Sequence, residues 1–192
     1  MTILILGLAI FLGMHSIRIW GDERRTALRA RFGEPAWKGA YSLVSLLGFA
    51  LLVWGFGLAR QDSPIVWHVA LAMRHVAALL TLLAFVFLAA TYVPHNAIKA
   101  RLHHPMLLGV KVWAFAHLLA NGKLADMLLF GSFLAWSIWC FIAARRRDRA
   151  AGTIYAAGTM GGTLATVLVG IAAWAAFAFW LHGVLIGVRP FG

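Results

Sequence analysis

Hydrophobic residues form six long runs separated by short polar segments, at about residues 2–20, 39–59, 66–91, 105–121, 125–144 and 163–187. An α-helix rises about 1.5 Å per residue, so a run of about 20 residues crosses the roughly 30 Å hydrocarbon core of a bilayer. The pattern therefore predicts an all-α protein, a polytopic membrane bundle of about six transmembrane helices. We expect one domain over residues 1–192.

Composition supports this interpretation. The chain is 62% hydrophobic with a mean hydropathy of +0.85, which is more apolar than soluble domains are. The N-terminal run has neither a basic segment before it nor a small-residue cleavage site after it, which predicts a retained helix. The single cysteine, Cys140, excludes an internal disulfide and a cysteine-based zinc site. We expect an integral membrane protein whose main partner is the lipid bilayer.

The net charge of +11 follows the predicted topology. Most basic residues fall after the first, third and fifth runs, which is the positive-inside pattern. This pattern predicts a multi-pass protein of the bacterial inner membrane with both termini in the periplasm, and it argues against nucleic-acid binding. The basic residues after those runs are Arg18, Arg24, Arg25, Arg29, Arg31, Lys38, Lys99, Arg101, Arg145, Arg146, Arg147 and Arg149.

Several residues predict helix boundaries and contacts. Pro64 and Pro105 suit the first turns of helices, where the missing N–H has no partner to lose. His104 is expected to cap the helix that Pro105 begins, and the basic segment 21–38 is expected to lie along the inner membrane surface as an amphipathic segment. Small residues spaced every four positions predict a helix-packing ridge. They are Gly158, Gly162, Thr166 and Gly170.

Histidines inside the predicted spans are the candidate cofactor ligands. His117 shares a helical stripe with Trp113, and His75 shares a face of the third run with His68. An apolar pocket with an imidazole on each side is what a low-spin haem needs. Predicted depth places His75 and His117 in the outer half of the bilayer and His15 in the inner half, which favours His75 as the partner of His117. The alternative is that these histidines hydrogen-bond across helices.

Arg74 lies in the third run, and no acidic residue lies deep in any span. An anionic ligand such as a haem propionate would neutralise it. Alternatively, its side chain extends to the nearest membrane surface.

The segment HPMLLGVKVWAFAHLLANGKLADMLLFGSFLAW, residues 104–136, and the earlier FLGMHSIRI resemble the NnrU family of bacterial membrane proteins. The resemblance implies a link to nitrite and nitric oxide metabolism. It also implies a relation to plant zeta-carotene isomerases, membrane enzymes that need haem b. On that relation, His15 and His117 would be the axial ligands of the haem iron, although depth favours His75 over His15.

Two departures from the isomerases weaken the transfer of their activity. Ala114 stands where they carry a cysteine, and Trp136 stands where they carry a further histidine. Three hypotheses follow. The first is a haem-b protein for redox chemistry or sensing, with an unidentified redox partner. The second is a haem-dependent cis–trans isomerase of an apolar polyene lipid. The third is a cofactor-free accessory protein.

Overall fold

The computed structural model of the protein describes residues 1–191, which fold almost entirely into helices. Within that range no β-strand forms, and only two isolated bridges occur. The all-α prediction is confirmed. The helices are α1 (Thr2–His15), α2 (Ile17–Trp20), α3 (Asp22–Phe32), α4 (Glu34–Ala59), α5 (Leu71–Tyr92), α6 (Ala97–Leu102), α7 (Pro105–Ala120), α8 (Leu124–Ala150), α9 (Met160–Ala176) and α10 (His182–Ile186), with a π-helical segment (Phe177–Leu181) between the last two.

Four helical stretches among the described residues are long and apolar enough to cross a membrane. They are Glu34–Ala59, Leu71–Tyr92, Leu124–Ala150 and Met160–Ile186. The other two predicted spans form apolar helices of 14 and 16 residues, α1 and α7. At 1.5 Å per residue these are about 21 and 24 Å long, shorter than a hydrocarbon core of about 30 Å. Six apolar helices therefore exist, while the number of crossings stays a prediction.

The chain divides into two compact units. The first contains Met1–His68 and Gly122–Trp136, and the second contains Val69–Asn121 and the chain from Ser137 onward. Helix α8 contributes residues to both.

In the first unit, α1 and α4 pack backbone to backbone through three glycines. A Cβ atom on Gly7 would overlap the backbone of Leu52, and one on Gly55 would overlap the backbone of Leu4. Gly48 meets the backbone of Phe11 in the same way. As the contact moves along α1 from residue 4 to residue 11, its partner on α4 moves back from 55 to 48, so the two helices are antiparallel. Small residues allow this close approach.

The start of α5 differs from the prediction. Pro64 does not begin a helix, because residues 61–70 run outside helical structure and pair with the turn before α8. The Pro64 carbonyl accepts from Leu124 N at 3.0 Å, and Val66 N donates to the Gly122 carbonyl at 2.8 Å. The helix begins only at Leu71. His68 is therefore not on α5, and the predicted helical face shared by His68 and His75 is wrong.

In the second unit, α9 and the loop before it pack against α5 and α6 along the predicted ridge. Gly158 and Gly162 lie against the backbone of Ala97 and His95, and Gly170 lies against Val86. The ridge's remaining member, a threonine at position 166, is fully buried. The predicted packing ridge is confirmed, although its first member precedes α9.

The other predictions about helix boundaries and the basic segment have different outcomes. Pro105 occupies the first turn of α7, as predicted. His104 takes the N-cap position, as predicted, although its side chain makes no capping hydrogen bond. The basic segment expected along the membrane surface is largely helical, since it contains α3 and the start of α4.

The glycine contacts predict a position-specific effect within α4. Gly55→Ala should lower the free energy of unfolding by about 1–3 kcal/mol, because the added methyl group overlaps the α1 backbone. Thermal unfolding in detergent measures this change. Gly57→Ala is the matched control, since a Cβ there meets nothing within 4 Å. Equal melting temperatures for the two variants would contradict the packing.

Candidate functional site

His15 ends α1 and is held by its own helix. Its Nδ1 lies 2.7 Å from the carbonyl oxygen of Phe11, one turn back. A carbonyl oxygen only accepts hydrogen bonds, so Nδ1 carries the proton and Nε2 carries the lone pair. This arrangement fixes the tautomer and the ring orientation, as in many metal-binding histidines.

Aromatic side chains surround the His15 imidazole. Its ring centroid lies 4.3 Å from that of Phe11, 5.6 Å from that of Tyr41 and 6.2 Å from that of Trp136, which meets it edge-on. The indole Nε1 of Trp136 is buried, and among the described residues no acceptor lies within hydrogen-bonding distance of it. A buried donor of this kind calls for a partner outside the chain, such as a ligand or a water molecule.

A cavity of about 350 Å³ opens beside His15. This volume falls in the range of about 300–1,000 Å³ that is usual for small-molecule sites. The cavity combines apolar and aromatic surface with three cationic side chains. Its lining residues are Met14, His15, Ile17, Arg18, Arg25, Trp37, Lys38, Tyr41 and Ser42.

His117, in the second unit, repeats the geometry of His15. Its Nδ1 lies 2.9 Å from the carbonyl oxygen of Trp113, and the two rings are 5.1 Å apart. The Asn121 side chain donates to the His117 carbonyl at 2.8 Å, closing the end of α7. His117 therefore also presents Nε2 as its unprotonated nitrogen. The predicted stripe of His117 and Trp113 is thus joined by a hydrogen bond.

The remaining predicted site residues lie elsewhere. His75 and Arg74 are exposed on α5. Ala77, two positions after His75 and about 200° around the helix, is buried. His75 thus lies off the packed face of α5 and Arg74 is exposed near its start, whereas Trp113 and His117 are brought together on α7.

No group of three or more His, Cys, Asp or Glu side chains among residues 1–191 is arranged to hold a metal ion. A haem iron takes four ligands from its porphyrin and needs only one or two protein side chains. Single, oriented histidines such as His15 and His117 are therefore the candidates for such a ligand.

A second polar cluster, which we did not anticipate from the sequence, lies where α7 begins and α8 ends. His104 Nε2 lies 2.8 Å from Asp148 Oδ2, and the Tyr155 hydroxyl donates to the same oxygen at 2.9 Å. The His103 ring meets Tyr155 edge-on at 4.0 Å. One signal was available: Asp148 is the single acidic residue within the run RRRDR.

This cluster holds two neighbouring histidines in backbone conformations that glycine usually adopts. His103 has φ 58° and ψ 164°, and His104 has φ 36° and ψ 50°. Such conformations cost about 1–3 kcal/mol each and persist only where surrounding contacts impose them. We therefore assign the His104–Asp148–Tyr155 hydrogen bonds the role of holding this turn.

The family model described as "NnrU protein" matches residues 3–190 of the chain. No curated protein and no solved structure matches it.

The half-buried turn at His103 predicts a pH effect on stability. Burial lowers the pKa of the His103 imidazole below its usual 6.5, and Arg145 lowers it further. The folded state thus prefers neutral His103. The stability gained from keeping this imidazole neutral is present above about pH 6.5 and is lost as the pH falls. The melting temperature should fall between about pH 7.5 and pH 5, and His103→Asn should reduce that fall.

The control for this titration is His68→Gln, since His68 is exposed outside the cluster. It should leave the pH dependence of melting unchanged. If His103→Asn melts with the same pH dependence as the wild type, His103 is not the group that causes the loss of stability at low pH.

Proposed function

Because the chain belongs to the NnrU family, whose model covers residues 3–190, we propose that it is an integral membrane protein that binds haem b. We further propose that the haem serves redox chemistry or sensing linked to nitrite and nitric oxide metabolism. In this proposal His117 and His15 would each serve as a ligand of the haem iron, which is the role that the resemblance implies for both.

One observation carries the proposal. In both histidines the Nδ1–H donates to the carbonyl four residues earlier, at 2.7 Å in His15 and 2.9 Å in His117. Each Nε2 is therefore the nitrogen that can donate a lone pair to iron, and each ring is oriented before any ligand arrives. A hydrogen bond to the second ring nitrogen is the usual support for a metal-bound imidazole, and it also makes the imidazole a stronger donor.

The surroundings of His15 suit a haem. Phe11, Tyr41 and Trp136 supply aromatic surface that a flat apolar macrocycle would contact. The unpartnered Trp136 N–H is a donor that a polar ligand edge would satisfy. When bound, haem b would supply one-electron redox chemistry.

The other candidate residues contribute less to this proposal. The exposed position of His75 makes it a weaker ligand than His15, which reverses the preference derived from depth in the sequence. Arg74, also exposed, is free to extend to a membrane surface. The isomerase alternative is not taken further, because Ala114 and Trp136 replace the cysteine and the histidine of those enzymes.

Optical spectra of the protein test the proposal. The wild type, expressed with haem supplied and purified in detergent, should show sharp α and β bands after reduction with dithionite. His15→Ala and His117→Ala should each lose or broaden these bands, since each removes one imidazole. His75→Ala, an exposed histidine on α5, serves as the control and should keep the wild-type spectrum.

A colourless wild type would reject haem binding and leave the histidines as packing residues. If the bands survive His15→Ala and disappear in His75→Ala, the protein binds haem and His75, rather than His15, is the ligand.

A further inference from the structure

The cavity beside His15 lies within a strongly cationic segment. Residues 18–38 contain six basic and three acidic side chains, which leaves three positive charges in excess. Each of two carboxylates is shared by two cations. Asp22 lies 2.8 Å from Arg25 and 3.8 Å from Arg18, and Glu34, at the start of α4, is likewise shared by Lys38 and Arg29.

The charged side chains that line the cavity are positive, and their compensating carboxylates, Asp22 and Glu34, lie outside the lining. Among the described residues that line it, Arg18, Arg25 and Lys38 are cationic and none is acidic. Arg25 is the most shielded, with 19% of its side chain exposed, and it is fixed by Asp22. Arg18 and Lys38 are 56% and 72% exposed, so their side chains are able to turn toward a ligand.

The rest of the lining is apolar or aromatic. Met14 and Ile17 contribute apolar surface, and Trp37 and Tyr41 contribute rings one helical turn apart on α4. A cavity with an oriented imidazole, flat aromatic walls and three cations suits a ligand that is flat and apolar at one end and anionic at the other.

We propose that this cavity binds the carboxylate edge of the haem, with Arg18, Arg25 and Lys38 as counter-ions to its propionates. The inference rests on the proposed function and adds the orientation of the ligand. Arg18 and Lys38 supply adjustable charge, while Arg25 supplies a fixed one. The apolar lining would contact the macrocycle, and His15 would hold its iron.

The test compares two ligands that differ only in charge. Haem b and its dimethyl ester, whose carboxylates are blocked, are titrated into the haem-free full chain in detergent, and the Kd is read from absorbance. Arg18→Gln with Lys38→Gln should weaken haem b binding about fivefold to tenfold, the size that two partly exposed ion pairs add. The Kd of the ester should not change.

The matched control removes the same charge from the same segment. Arg24→Gln with Arg31→Gln alters two basic residues that do not line the cavity, and it should change neither Kd. Because the ester is also compared with haem b on the wild type, the inference is tested even if a variant fails to fold. There the ester should bind more weakly than haem b.

Each other outcome overturns the inference in a recognisable way. If the wild type binds haem b and the ester equally well, the haem proposal stands and the proposed role of the cations as counter-ions is rejected. Unchanged haem affinity in the Arg18/Lys38 variant, with lost thermal stabilisation by phosphatidylglycerol, would make the cavity a phospholipid site. A wild type that binds neither ligand rejects the haem proposal and this inference together.

Discussion

The backbone contact between α1 and α4 is the interaction on which the first unit depends. Lipid tails are as apolar as leucine side chains, so burial of apolar surface gives little drive for helices to associate inside a bilayer. Dispersion contacts must supply it, and they grow as the backbones approach. Gly7, Gly48 and Gly55 permit that approach at three levels, which fixes both the rotation and the axial position of α1. The imidazole of His15 is brought beside Tyr41 by the same register.

The helices were largely predictable because their signal is local. A run of apolar residues long enough for a bilayer forms a helix whatever its neighbours are, since backbone groups in lipid need internal partners. The ridge through Gly162 and Gly170 was predictable for the same reason. The start of α5 was not, because the sequence from Pro64 to Ala70 suits a helix as well as an extended segment. Its pairing with the turn at Gly122, which is distant in sequence, decides the outcome.

The candidate site divides along the same line. The hydrogen bonds of His15 and His117 to carbonyls four residues back are local, and helix geometry alone allows them. The cavity depends on how separate helices pack. It brings Arg18 on α2 and Arg25 on α3 beside Lys38 on α4. The cluster around Asp148 likewise joins residues 44 apart in sequence. The sequence therefore indicates which histidines can be oriented by their own helix. It does not indicate which side chains surround them, because that depends on how the helices pair.

The turn at His103 and His104 has a consequence for how the second unit moves. Its two unfavourable backbone conformations are retained only while Asp148 and Tyr155 hold the side chains. Tyr155 lies in the segment between α8 and α9. The conformation of the turn therefore depends on that segment staying in place. We therefore expect local opening of the second unit to begin at this turn. Helix α7 starts there and carries His117 in its last turn, so an opening at one end of α7 would be transmitted along a rigid rod to the imidazole at the other.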